Sequence, residues 1–280
     1  MRSLSGLWQS AAVILLLCSS NPARGQEGET ERGRLISTAI DSGRLVQAAA
    51  MLNKFFAKTK GHEAETDILQ AELALAQKHD DHAKLLFGRY LQHDTFACRA
   101  KEGVGIVDAR AGNMRSATDY LVQVTLECPK RWKSWNMMGV ILARYEKWDA
   151  SKHAFESALA RSDNAPVVLN NFAYSLMAQK KYEEAETLFS AALEQQPRNV
   201  RFQNNLDIAR AALGKKPTRS EKQSDQRWSE RLNNSGYAAL LSGHEEIGTA
   251  LLSEAIIGSS TMASVAAANL ESGRAERTRP

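Results

Sequence analysis

Prolines are few, six in 280 residues, and four of them (Pro22, Pro129, Pro166 and Pro197) stand where a helix would be expected to start or stop. Glycine is modest at 17 and apolar residues make up 43% of the chain, which together exclude a collagenous, mucin-like or wholly disordered protein. Neither charge dominates: the net is +4, or +2 once Arg2 and Arg24 of the N-terminal segment are set aside. A nucleic-acid binder recognised by its charge needs a concentrated basic footprint, and this balance excludes one. Beyond the N-terminus no apolar run approaches the length of about 18 residues that a spanning helix needs. The sequence also lacks a Gly-x-Ser-x-Gly, a His-Glu-x-x-His and a phosphate loop, and no strand precedes Gly103-Val104-Gly105. No enzymatic activity and no cofactor is therefore expected.

What is present begins with a cationic start, an apolar stretch from Leu7 to Leu17 and a turn-rich exit. Residues 1–25 read as a secretory signal peptide, cut after Ala23-Arg24-Gly25. Cys18 offers an alternative, lipid attachment as in bacterial lipoproteins, although Leu17 is not the small residue that such a signal wants before the cysteine. The expected location is periplasmic, or outer-membrane-associated if Cys18 is lipidated. Export makes Cys98 and Cys128 a candidate disulfide, since an oxidising compartment permits one. The alternative is two unrelated thiols.

Self-comparison reveals a period of 34. Trp135, Gly139, Leu142, Trp148, Ser151, Phe155 and Ala158 recur as Leu169, Ala173, Leu176, Tyr182, Ala185, Phe189 and Ala192. One step back the register holds through Gly105, Ala117 and Leu121, failing at Lys101 and Asp108, and further steps reach Ala71, Ala83, Ile36 and Ala48. Each unit divides into two stretches with apolar residues three and four apart, joined at turns such as Gly43-Arg44, Lys78-His79-Asp80, Gly112-Asn113 and Lys180-Lys181. Small residues recur where two helices must cross closely.

The expected fold is all-α, an α-solenoid of stacked helical hairpins, five or six in number. The expected organisation is a repeat array over 34–213, a flexible charged linker over 214–227, a final hairpin with a capping helix over 228–272, and a disordered tail over 273–280.

The column of bulky aromatic, Gly or Ala, then Ala, Phe and Ala resembles the tetratricopeptide repeat. With the leader, the segments Cys98 to Ile106, Asn170 to Leu176 and Asn204 to Ala209, and the ending Ala266-Ala267-Ala268-Asn269-Leu270, the chain looks like the TadD-type proteins of tight-adherence (Flp) pilus assembly. That resemblance implies a non-enzymatic part in placing or assembling envelope secretion machinery. The alternative is a binding or chaperone-like module for another envelope process, such as cell-wall or outer-membrane biogenesis.

The first helices of such an array offer a binding groove. One line along it holds Glu102, Asn136, Asn170 and Asn204, each 34 from the next, and Arg99, Lys133 and Arg201 lie three residues earlier in their units. A carboxamide both donates and accepts, so this line could hold the backbone of an extended, somewhat acidic polypeptide segment within a cationic rim. The partners expected are proteins, with no nucleic acid, and with a membrane only through a lipidated Cys18. His79-Asp80-Asp81-His82 and His93 carry donors at short spacing, but no second clustered pair completes a tetrahedral set, and no metal site is expected.

Overall fold

A computed structural model describes residues 30–56, 63–220 and 223–277. The expected leader and Cys18 therefore lie outside the described residues. The chain forms two compact units, Met1–Ala100 and Lys101–Pro280. The first holds α1 (Glu31–Asp41), α2 (Leu45–Phe56), α3 (Glu63–Ala76) and α4 (Asp80–Gly88). The boundary falls within α5 (Ala97–Arg110). The second unit continues with α6 (Met114–Glu127), α7 (Trp132–Arg144), α8 (Trp148–Ser162), α9 (Pro166–Ala178), α10 (Tyr182–Gln195), α11 (Val200–Ala212), α12 (Asp225–Leu241), α13 (Glu245–Gly258) and α14 (Ser260–Arg277). The described residues contain these 14 helices and no strand. None of the helices is long and apolar enough to cross a membrane, among the described residues.

The period seen in the side chains is equally a backbone period. A residue with positive φ ends the first helix of each repeat: Gly43, Lys78, Gly112, Glu146, Lys180, Gly214 and Gly243. The amide that follows each one donates back five residues, as from Arg44 to Ala39, Asn113 to Asp108, Lys147 to Leu142, Lys181 to Leu176, Lys215 to Arg210 and His244 to Ala239. These bonds satisfy carbonyls that the helix end leaves open, and they reverse the chain within two or three residues. Pro166, lacking an N–H, opens α9 at its first turn without losing a bond.

Each reversal lays a second helix against the first. In the first unit Ile36, Ala39 and Ile40 of α1 meet Ala48, Leu52 and Phe55 of α2 and Leu69 and Leu73 of α3. In the second unit the core runs through Phe155, Phe172 and Phe189, with the rings of Phe155 and Phe172 stacked 5.3 Å apart. Trp132 and Trp135 pack on this core, half-buried, as a wall and not as a free aromatic surface. Gly139 admits the crossing of α7 and α8: a Cβ there would lie 2.8 Å from the Phe155 ring. The Ser151 hydroxyl of α8 donates to the Gly139 carbonyl at 2.8 Å and pins the crossing.

The array has one break. α11 ends in the same turn as the other first helices, but residues 214–220 and 223–224 stand where its second helix would be. The physical reason is in the sequence: Gly214 to Gln226 contains no apolar side chain for α11 to cover. Asp207 of α11 correspondingly occupies the column that holds Gly105, Gly139, Ala173 and Gly236 elsewhere. Asp207 and Arg231 of α12 are both buried, and Arg231 Nε donates to Asp207 Oδ2 at 2.6 Å. The remaining Arg231 nitrogens hold the connecting segment, through Gln223 Oε1 at 2.7 Å and the Thr218 carbonyl at 3.1 Å. Glu186 of α10 takes hydrogen bonds from Arg210 and Lys215 at 2.9 and 2.6 Å. Burial alone would raise the Glu186 carboxyl, but the hydrogen bonds and charges of Lys215 and Arg210 outweigh it and hold it below the usual value.

Two expected boundaries shift. α12 starts at Asp225 and takes the last three residues of the expected linker, because Ser224 caps it by accepting from the Arg227 amide at 3.4 Å. The closing helix α14 reaches Arg277, through part of the expected disordered tail, and packs on α12 and α13 with Ala266 and Gly273 buried. Its remaining exposed positions are mostly small or polar, as the outer face of a terminal cap requires.

Candidate functional site

The expected binding line of Glu102, Asn136, Asn170 and Asn204 falls on the first helices α5, α7, α9 and α11. Asn136, Asn170 and Asn204 lie on it as their spacing implies, but they are bonded mainly to one another's neighbours. Asn171 Nδ2 donates to Asn136 Oδ1 at 3.2 Å, Asn170 Nδ2 to Asn171 Oδ1 at 3.3 Å, and Asn205 Nδ2 to Asn170 Oδ1 at 2.7 Å. The Tyr174 hydroxyl closes this relay on Asn205 Oδ1 at 3.4 Å. A second relay crosses the break: Asn234 donates to Asn204 at 3.1 Å, Asn233 to Asn234 at 3.2 Å, and Asn269 of α14 to Asn233 at 2.9 Å. Paired asparagines on each first helix thus stitch successive repeats. Asn170, Asn205 and Asn233 are buried, and a buried amide left unmatched costs more than the bond itself returns.

This arrangement corrects the expectation for Asn170, whose carboxamide is spent inside the fold. Asn136 and Asn204 differ: each accepts through Oδ1, while its Nδ2 donates to no group among the described residues, Asn136 being 7% exposed and Asn204 half-buried. Asn171, Asn205, Asn233 and Asn234 escaped the sequence reading. The visible signal was the doubled Asn-Asn at 170–171, 204–205 and 233–234, where one member serves the preceding repeat and the other the following one.

The expected cationic rim is also corrected. Arg99 is 8% exposed and belongs to the first unit's interior: Nε and Nη2 bind Glu72 Oε1 and Oε2 at 2.9 and 2.6 Å, and Nη2 reaches the Ser37 hydroxyl at 2.9 Å. Glu102, in the second unit, is 3% exposed and is no groove ligand either. Its Oε1 accepts from Arg131 Nε and Nη2 at 3.1 and 2.5 Å, and its Oε2 accepts from the Ser134 amide and hydroxyl at 3.0 and 2.7 Å. Glu102 of α5 thereby caps the start of α7, placing a negative charge where the helix dipole favours one. Lys133 lies over the Trp132 ring at 5.7 Å, half-buried. Arg201 remains exposed, beside the Phe202 ring at 6.0 Å.

What the face does present is a stripe one helical turn beyond the asparagines: Val140, Tyr174, Ile208 and Tyr237. Val140 is 36% and Tyr174 51% exposed, and Ile208 and Tyr237 are half-buried. Arg144, one turn further along α7, is exposed. α7 and α9 contain no acidic residue, and the acid of α11, Asp207, is enclosed by Arg231, whereas α12 carries half-buried Glu230 three residues before Asn233, its Oε1 accepting from Gln226 at 3.3 Å. The face can therefore donate hydrogen bonds and cover apolar side chains.

Elsewhere the candidate residues resolve into structural roles. Among the described residues no three His, Cys, Asp or Glu side chains converge as metal ligands. His79 is the N-cap residue of α4, and His93 packs between the Tyr90 and Phe96 rings while its Nδ1 accepts from the Thr95 amide at 3.2 Å. Cys98 lies in the first turn of α5, and Cys128 caps α6 with its amide on the Val124 carbonyl at 2.8 Å.

Residues 138–241, less than half of the chain, match the family model of the coatomer epsilon subunit. No curated protein matches the chain significantly. Among solved structures the chain is similar to the Cut9–Hcn1 hetero-tetramer of the APC/C, at 14% identity and a TM-score of 0.59, over 86% of this chain and 48% of that one. This chain thus spans about half the length of that relative. It is also similar to the C-terminal part of a TPR repeat-containing protein from Cytophaga hutchinsonii (14% identity, TM-score 0.46, 85% of this chain and 99% of that one). A third similarity is to YrrB, a TPR protein with an unusual peptide-binding site (15% identity, TM-score 0.39, 61% and 88%). The fold is a tetratricopeptide-type all-α solenoid of stacked helical hairpins.

Proposed function

We propose that this chain is a non-enzymatic scaffold that binds extended protein segments on the first-helix face of its second unit. One observation carries the reading: the amide nitrogens of Asn136 and Asn204 stay unspent at two points along a face whose other asparagines are all committed to the fold. Donors held in place by bonded partners lose little freedom when they engage a backbone carbonyl. We further propose that the chain acts after export in the bacterial envelope, supporting assembly of a Flp-type pilus or a related secretion machine. The leader-like residues 1–25 and the resemblance of the repeats to TadD-type proteins support this finer reading. A binding or chaperone-like module for cell-wall or outer-membrane biogenesis is the second reading, and the same leader favours it equally.

The test is site-specific photo-crosslinking in cells with the full chain. A crosslinking residue at Tyr174, on the first-helix face, is expected to trap a polypeptide that the same residue at Lys152, on the exposed side of α8, does not. Pilin, secretin or assembly-ATPase peptides in the adduct would support pilus assembly, and cell-wall or outer-membrane assembly components would favour the second reading. Equal adducts at both positions would refute the face.

A further inference from the structure

One cavity of the second unit lies where the repeat pattern gives way. It measures about 890 Å³, within the range of about 300–1,000 Å³ that small-molecule sites occupy. Its wall is the turn from α5 into α6, the first part of α6, and Tyr145, the C-cap residue of α7. Ser116 of this wall is spent inward, its hydroxyl donating to the buried Asp108 carboxylate at 2.6 Å. The side chains of Asn113, Arg115, Asp119, Tyr120, Gln123 and Tyr145 also line the cavity, and they make no hydrogen bond, ion pair or ring contact among the described residues. Asn113 stands at the N-cap of α6, where a carboxamide ordinarily accepts from the helix's first amides, and it makes no such bond.

The next two repeats show what the fold itself asks for at these positions. Tyr120, Gln123 and Tyr145 stand one period before Ala154, Ser157 and Gln179, and two periods before Leu188, Ala191 and Leu213. Ala154 is buried, and Gln179 bonds back to the Ser175 carbonyl of its own helix at 3.0 Å. Leu188 and Ala191 pack half-buried on the core, and Leu213 is half-buried too. Small or aliphatic side chains therefore complete the stacking. Two tyrosines and a glutamine without intramolecular partners are a departure that stacking does not require, and such departures mark functional positions.

The lining specifies the chemistry of its ligand. An apolar molecule would strip water from these polar groups and return no bonds. A polyanion would meet one lining cation, Arg115, and one lining acid, Asp119, four residues along the same helix. A sugar matches the whole set. Each of its hydroxyls donates and accepts, and so pairs with the acceptor Asp119, the donor Arg115, and the two-way groups of Asn113, Gln123 and the tyrosines. Its C–H faces suit the electron-rich faces of Tyr120 and Tyr145. Six of the nine lining residues are exposed, so the cavity opens to solvent and admits an internal unit of a longer chain.

We infer that this cavity is a saccharide-binding site that takes a segment of a neutral glycan chain. Tyr120 and Tyr145 cover the sugar rings, while Asn113, Arg115, Asp119 and Gln123 bond their hydroxyls. The site is independent of the first-helix face.

The test titrates the full chain with three neutral hexasaccharides, cellohexaose, chitohexaose and maltohexaose, and with an end-blocked, uncharged hexapeptide of Ser, Asn, Gln and Gly. Saturation-transfer difference NMR is expected to show at least one hexasaccharide bound, with the strongest transfer to the C–H protons of one ring face. Tyr145→Ala and Gln123→Ala, both at exposed positions, should each weaken that saccharide at least about fivefold in calorimetry, with circular dichroism unchanged. Tyr145→Phe, which keeps the ring, should recover most of the loss. Binding by none of the three saccharides, or an affinity indifferent to both alanine substitutions, would overturn the inference. So would the peptide binding as tightly as the best saccharide, which would make the cavity a peptide site. None of these outcomes bears on the Tyr174 crosslink, which tests the first-helix face.

Discussion

Gly139→Ala tests the closeness on which the repeat stacking depends. The added methyl would lie 2.8 Å from both Cδ1 and Cε1 of Phe155, where ordinary contact begins at 3.4 Å. The ring has nowhere to retreat, since Phe155 is fully buried and stacked on Phe172 at 5.3 Å. Nor can α8 slide, because Ser151 Oγ holds the Gly139 carbonyl. Overpacking of this kind costs about 1–3 kcal/mol. Alanine returns about 1 kcal/mol of helix propensity relative to glycine, so a net loss of about 1 kcal/mol is expected. Urea unfolding of the full chain, followed by circular dichroism, measures it, and a cycle with Phe155→Leu isolates the cause. With Phe155→Leu already in place, the same substitution should be neutral or stabilising, with a coupling of at least about 1 kcal/mol. Equal effects in both backgrounds, or a Gly139→Ala protein as stable as the parent, would refute the argument that this glycine exists for Phe155.

Other substitutions separate the folding roles from the binding roles. Asn170→Ala leaves the buried Asn205 amide without its 2.7 Å acceptor and should cost about 1–3 kcal/mol in urea unfolding, while Asn136→Ala should cost less and lower partner affinity. Arg231→Met leaves the buried Asp207 carboxylate with Gln203 but without its cation and should destabilise by about 3–5 kcal/mol, accompanied by faster proteolysis at Lys215 and Arg219 of the released segment; unchanged cleavage would contradict the clasp. Tyr90 is pushed up to about 12 by burial and then by its hydrogen bond to Asp67. Because its folded value lies above the unfolded one, its contribution is complete below pH ~10 and is lost as the pH rises towards 12, so the alkaline limb of stability should flatten in Tyr90→Phe. The Cys98–Cys128 bridge expected from the sequence is a proposal that thiol titration of the exported, unreduced protein can check: no reactive thiol supports it, and two would remove it.

Much of this architecture is legible in one sequence because a repeat states its packing rule several times. The small-residue column marked the helix crossings, and the turns at Gly43, Lys78, Gly112 and Lys180 stand where the chain reverses. The site was less legible, because a column gives the face of a residue and not its partner. Arg99 and Asn170 stand on the face their spacing implies, yet Glu72, 27 residues earlier, takes the first, and Asn205, 35 residues later, takes the second. Pairing across repeats depends on how far each helix rotates and slides over the next, which side-chain type alone does not encode. The break at α11 did carry a signal: Asp207 stands 34 residues after Ala173, in a column that holds Gly or Ala at 71, 105, 139, 173 and 236. A carboxylate there is incompatible with a closely crossing second helix and called for a buried cation, which Arg231 supplies.

Amide hydrogen exchange of the full chain, with and without the partner polypeptide recovered by the Tyr174 crosslink, tests the central claim most directly. Added protection should concentrate on α7, α9, α11 and α12, with α8, α10 and α13 unchanged. Protection confined to the second helices, or spread evenly over both, would contradict the first-helix face as the binding surface.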